Sequence, residues 1–278
     1  KKELSTIKDV LGTFTTSYAG SASGRCANVE NGASLINGTL LYPGDSFSVY
    51  SKVAPFTADN GYHLAGSYSN GQTVQTYGGG ICQVSTTLYN AVIRAELEIT
   101  ERSAHSMIVS YVEPSMDAAI SGEYKDLKFK NSTKYPVYIE GYTDGGIIHF
   151  NVYGKETRDA NREVEFVSET TGETDPGVKY VADGTLQIGT ISTQQSAHIG
   201  KKAKLWKVVK VNGKEESREV FNTSNYQASP KIVRVGTASD SQDAINAVMA
   251  AIGTQDEATI QAAAAANCTA ARDAAAAQ

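Results

Sequence analysis

Apolar residues at Val84, Leu88, Ala91, Val92 and Ala95 recur at the three-to-four spacing of one buried helix face. The spacing predicts a helix from Cys82 to about Glu98, with Ser85, Thr86 and Arg94 facing outward. Elsewhere the period drops to two. His105, Met107, Val109 and Tyr111 alternate with Ala104, Ser106, Ile108 and Ser110, which predicts a strand. Val137–Tyr142 and Ile147–Tyr153 read as two further strands, joined by the hairpin turn Thr143-Asp144-Gly145-Gly146. Upstream, Cys26–Leu35 reads as a short helix, and Asn37-Gly38 and Pro43-Gly44 as turns leading into short strands near Leu40 and Phe47. Residues 51–77 are loop-rich and are expected to fold over the glycines that follow, as part of a cleft wall.

Residues 1–12 read as a linker remnant and 13–155 as an α+β domain, an antiparallel sheet with one main helix. After a patternless charged stretch, residues 163–237 alternate in short strands punctuated by Pro176-Gly177, Asp183-Gly184 and Asn212-Gly213, and predict a small all-β module. Residues 238–278 are alanine-rich, with high helix propensity but few bulky apolar side chains, and predict a helical tail.

The 278 residues carry a formal net charge of −5, with no basic block to meet a nucleic acid. No apolar run reaches the length of a membrane span. The chain opens at Lys1 without an initiating Met and reads as trimmed, so an upstream membrane anchor is compatible with it. The three cysteines, Cys26, Cys82 and Cys268, lack metal-site spacing; neither a metal nor a cofactor is expected.

Candidate chemistry centres on Gly78-Gly79-Gly80-Ile81-Cys82-Gln83. Glycines permit a tight turn, and the turn delivers Cys82 to the start of a helix. There the unpaired N–H groups and the helix dipole favour the thiolate, which is the nucleophile. A buried thiol, or a disulfide from Cys82 to Cys26, is the competing reading of the same residue.

Taken in order, Thr13-Phe14-Thr15-Thr16, Asn37-Gly38-Thr39, Pro43 to Ser48, Gly61-Tyr62, Gly78 to Leu88, Arg102 to Ser106 and Asp126 to Asn131 resemble the VanW-domain family. The similarity covers about residues 13–155. Some members of that family are L,D-transpeptidases of peptidoglycan that use the cysteine of a Gly-Gly-Gly-x-Cys-Gln motif, and the resemblance implies that Cys82 is that cysteine. Residues 163–237, through Val235-Gly236-Thr237 and their strand rhythm, resemble the G-five modules that accompany cell-wall enzymes and bind wall polymers or zinc; no zinc ligand set is visible in them.

Such a reaction needs a thiolate, a group that manages protons and donors for an oxyanion. His105, within a matched motif, is the first candidate for the proton carrier and His63 the second; His149 and His198 read as surface or packing residues. Asp117 or Asp126 could orient the imidazole. Backbone N–H groups of Cys82, Gly79 and Gly80, with Gln83 as an added donor, could hold the oxyanion, and Arg102 could meet a stem-peptide carboxylate. The expected partner is a peptidoglycan stem peptide, and the expected place is the extracellular wall of a Gram-positive-type bacterium. A cysteine peptidase or amidase acting on the wall, or a noncatalytic wall-binding protein, is the alternative.

Overall fold

A computed structural model describes residues 4–69, 72–122 and 124–277. The elements in chain order are β1 (Asp9–Ser17), α1 (Ser23–Ile36), β2 (Thr39–Leu41), β3 (Ser46–Ser48), α2 (Val49–Val53), β4 (Leu64–Ser69), β5 (Gln72–Tyr77) and α3 (Ile81–Arg94). They continue with β6 (Glu98–Glu101), β7 (Lys128–Lys130), β8 (Val137–Asp144), β9 (Ile147–Gly154), β10 (Arg162–Thr174), β11 (Val178–Gln187) and β12 (Ile191–Gln195). Last come β13 (Gly200–Val211), β14 (Lys214–Tyr226), β15 (Lys231–Ala238), α4 (Gln242–Thr254), α5 (Glu257–Asn267) and α6 (Thr269–Ala276).

The chain divides into two compact units, one running to Glu173 and resuming at Lys201–Tyr226, the other formed by Thr174–Gly200 and the residues after Tyr226. In the first unit β1, β9, β8 and β2 form an antiparallel sheet in that order. The β8–β9 turn works because Gly145 and Gly146 both take positive φ, as a tight hairpin requires. Val137, Ile139, Ile148, Phe150 and Val152 point from this sheet into the core that buries α3. Helix and sheet come unusually close at β1, where a Cβ on Gly12 would lie 2.2 Å from the Ala91 carbonyl oxygen.

Three expectations change here. Ser85 and Thr86 are buried, Thr86 beneath the segment carrying Ala118, with which it exchanges hydrogen bonds. No strand forms over 104–111. The backbone of this region is satisfied by buried side chains instead of a ladder: Asp117 accepts from the His105 N–H, Thr86 accepts from the Ala118 N–H, and Asn90 donates to the Met116 carbonyl. Residues 51–77 are less irregular than expected, since they hold α2 and the β4–β5 hairpin, with strands too polar to stand out in the pattern.

Residues 4–12 are structured: β1 begins at Asp9 and pairs with Gly154, so the strand starts inside the stretch read as linker. The strands of 163–237 are shared between the units. β10, β13 and β14 form a sheet of the first unit, while β15 lies between parallel β11 and antiparallel β12 in the second. The alanine-rich segment forms helices that share a core with those strands: Val248, Ile252 and Ile260 pack with Tyr180, Val233 and Val235. Ser241 and Asp256 cap α4 and α5 by accepting from the Ala244 and Thr259 N–H groups.

The approach at Gly12 predicts that Gly12→Ala destabilises the first unit by about 2 kcal/mol or more, because the obstacle is helix backbone that cannot rotate away. Denaturant titration of the purified chain checks this, and wild-type stability in the variant would refute the close packing.

Candidate active site

The glycine triplet is required by its backbone. Gly78 and Gly80 hold φ of 82° and 105°, in the left-handed region, and a Cβ on Gly79 would sit 2.7 Å from the carbonyl oxygens of Ala65 and Gly66. The turn is pinned through α1, where Asn28 donates to the Gly79 and His63 carbonyls and accepts from the His63 N–H. The chain then enters α3 at Ile81, placing Cys82 in the first turn, where no intrahelical carbonyl can take its N–H.

All three cysteines are free thiols, so the Cys26–Cys82 disulfide does not form; Cys26 donates instead to the Ser21 carbonyl. Cys82 is half-buried, and its Sγ lies 3.3 Å from the Ile120 carbonyl oxygen. Beside it stands the His105 ring. Burial pushes the thiol up, but the hydrogen bond and positive charge of His105 outweigh burial and bring Cys82 below its ordinary value.

Asp117 fixes that ring. Its carboxylate is fully buried, and the His105 side chain is 12% exposed. Oδ2 accepts from His105 Nδ1 at 2.6 Å and from the His105 backbone N–H at 2.7 Å. Oδ1 accepts from Arg102 Nη2 at 2.9 Å and from the Tyr226 hydroxyl. Burial pushes the carboxyl up, but His105 and Arg102 hold it down at about 2. Burial also depresses the imidazole, yet Asp117 and Cys82 raise it to about 9. With Nδ1 committed to Asp117, only Nε2 remains to face the sulfur. The Tyr111 hydroxyl lies 3.4 Å from the same Nε2, with its ring edge-on to the imidazole.

The other candidates sit elsewhere. Asp126 accepts from the Ser48 hydroxyl and from the Tyr50 and Leu127 N–H groups, bracing the start of α2, and does not meet His105. Both amide hydrogens of Gln83 are committed, to Thr16 Oγ1 at 2.9 Å and the Ser17 carbonyl at 2.8 Å, while Arg25 donates to its Oε1. Gln83 therefore has no donor left for an oxyanion. Arg102 is spent on Asp117, the Ser115 carbonyl and Ser224, with its side chain 7% exposed, so it is not free for a substrate carboxylate. His149 stacks on Tyr142 with ring centroids 4.6 Å apart, and His63 is exposed. Tyr111 and Tyr226 were not among the sequence candidates. Tyr111 shares the alternation of His105, but that alternation predicts a strand that does not form, and Tyr226 lies 109 residues beyond Asp117 with no local signal.

A glycine turn, a helix-borne cysteine, and a histidine held by a buried aspartate now stand together, and family comparison agrees with the sequence that builds them. Residues 24–153 match the model of the VanW like protein family, and residues 167–238 match the G5 domain. The chain carries a VanW-like domain followed by a G5 domain. Among its relatives are the uncharacterized protein YoaR of Bacillus subtilis (strain 168), 35% identical over 146 residues, covering 52% of this chain and 48% of YoaR. The vancomycin B-type resistance protein VanW of Enterococcus faecalis (strain ATCC 700802 / V583) is 30% identical over 156 residues, covering 52% of this chain and 56% of that protein. This chain thus spans about half the length of these relatives. A solved G5 domain of an IgA1 protease is 32% identical, covering 28% of this chain and 94% of its own, with a TM-score of 0.20.

The charges set two pH dependences. His105, raised above its unfolded value of about 6.5, contributes stability that is fully present below that pH and is lost as pH rises through about 9. Asp117, depressed below about 3.9, contributes stability present above that pH and lost as pH falls through about 2. In the folded chain, alkylation of Cys82 by iodoacetamide should therefore rise at a pH below the ordinary thiol value of about 8.5. Asp117→Asn should move the rise upward and slow alkylation at pH 7 about tenfold. Rates followed by intact mass check this; identical profiles for the two proteins would contradict the coupling.

Proposed function

We propose that the VanW-like domain of this chain is a cysteine-dependent L,D-transpeptidase acting on peptidoglycan stem peptides. The observation that carries the reading is the Cys82–His105–Asp117 arrangement, which supplies a favoured thiolate and a protonated imidazole side by side. The family resemblance supplies the substrate class.

The Cys82 thiolate attacks the carbonyl between the L-centre and the terminal D-Ala of a stem tetrapeptide, forming a C–S bond and an oxyanion. The Cys82 N–H, with N–H groups of the Gly79-Gly80 turn, receives that oxyanion at the positive end of α3. The protonated His105 Nε2 gives its proton to the departing amine as the C–N bond breaks, and D-Ala leaves. His105, now neutral, accepts a proton from the amine of a neighbouring stem as that amine attacks the thioester. The C–S bond then breaks, and thiolate and imidazolium return. Asp117 stays ionised throughout and keeps the imidazole turned with Nε2 toward the sulfur.

The G5-matched residues fit a role in holding wall polymer, and this supports the reading that the protein works at the extracellular wall. Two of the alternatives differ only in what meets the thioester: an amine gives a cross-link, water gives trimming. Incubating the purified chain with a tetrapeptide-bearing muropeptide should give D-Ala release and a cross-linked product, and a carbapenem should acylate Cys82. Cys82→Ala should lower turnover by about a thousandfold or more and abolish the adduct. Product analysis by mass spectrometry decides the reading: trimmed monomer alone would make the protein a cysteine peptidase, and undiminished turnover in Cys82→Ala would remove the cysteine from the chemistry.

A further inference from the structure

Asp117 is steadied from a distant part of the chain. Asn222, Ser224 and Tyr226 alternate along β14 and so share one face of it. All three engage the segment that carries Asp117. Asn222 and Ser224 each pair with the Ser115 hydroxyl at 2.7 Å, and Ser224 also accepts from Arg102 at 2.9 Å. The Tyr226 hydroxyl accepts from the Ser115 N–H at 2.7 Å and donates to Asp117 Oδ1. Its ring is 2% exposed, so the phenol is fixed by packing as well as by hydrogen bonds. None of these β14 residues falls within the residues matched to the VanW family; they lie in the span matched to the G5 domain, although β14 from Lys214 to Tyr226 belongs to the first compact unit.

We propose that Tyr226 is a positioning residue for the Cys82–His105 pair, setting the orientation and charge distribution of Asp117 from a strand outside the VanW-matched residues. The proposal rests on Cys82 and His105 being the reacting pair. The carboxylate divides its acceptors between two sides: Oδ2 serves His105 and Oδ1 serves Arg102 and Tyr226. Donation from the phenol holds Oδ1 away from the ring and draws negative charge toward that side, which tempers the pull of Oδ2 on the imidazole proton. His105 therefore stays acidic enough to protonate a leaving amine. The groups that bear on this balance are Cys82 and Tyr89 from α3, Arg102 and Tyr111 from the segments flanking His105, and Arg25 from α1, which acts on Tyr111. Of these only Arg102 shares Oδ1 with Tyr226.

The test is the titration of the His105 ring, followed by ¹H–¹⁵N NMR in the full chain at a temperature where circular dichroism shows the variant folded. Tyr226→Phe keeps the ring and removes the donor. Charge then concentrates on the remaining contacts, and the His105 midpoint should rise by about 0.5 pH unit or more. A purely structural tyrosine would lower thermal stability and leave the midpoint in place; an unchanged or lowered midpoint overturns the proposal. Should the Tyr226→Phe chain fail to fold, 3-fluorotyrosine at position 226, a stronger donor of nearly the same shape, must lower the midpoint, and no movement would be equally fatal. The readout is independent of turnover. A shifted midpoint together with Cys82-dependent release of trimmed monomer and no cross-link would sink the transpeptidase reading alone, and Cys82-dependent cross-linking with no shift would sink the role of Tyr226 alone.

Discussion

A single buried carboxylate organises the candidate site in the first compact unit of this protein. Asp117 has no water to solvate its charge, and a carboxylate in that position persists only where donors surround it. Four do: the side chain and the backbone of His105, the guanidinium of Arg102 and the phenol of Tyr226. Removing one charged partner from such a cluster typically costs about 3–5 kcal/mol. The requirement to satisfy Asp117 therefore ties residues 102–105 and Tyr226, 109 residues away on β14, to one point. It also explains how residues 103–120 follow an irregular path while 115–120 stay buried: side chains supply hydrogen bonds a sheet would have given.

The second constraint is backbone geometry at the glycine turn. Side chains at Gly78, Gly79 or Gly80 would demand a strained φ or meet neighbouring atoms, and the turn they form sets where α3 begins. Starting the helix at Ile81 puts Cys82 at its positive end, and burying α3 from Val84 through Ile93 makes that position rigid. The two constraints meet at one sulfur. The helix end and the imidazolium both favour its anion, and burial works against them.

Much of this was legible in the sequence where the physics is local. The glycine triplet, the start of α3, the β8–β9 hairpin and the candidacy of Cys82 and His105 follow from spacing, turn chemistry or matched motifs; Asp117 and Asp126 stand as equal alternatives in the sequence, and the fold alone separates them. What failed was reading across distance. Alternation at 104–111 suggests a strand because a periodic pattern cannot reveal that the Asp117 carboxylate takes the His105 N–H. Gln83 and Arg102 looked available because a polar side chain gives no sign of its partners, which are Thr16, Ser17 and Asp117. Tyr226 carried no signal, since its role depends on β14 presenting one face to a segment 109 residues earlier. The alanine-rich tail lacked bulk of its own and found its core in the strands before it.

The central claim is that Cys82 is held as a thiolate beside a protonated His105. Thiolate absorbance near 240 nm, taken across pH as the difference between wild type and Cys82→Ala, reads that state directly. The account predicts a sulfur whose absorbance titrates below the ordinary thiol value of about 8.5. A difference signal that emerges only around or above that value would mean an ordinary thiol, and the account would be wrong.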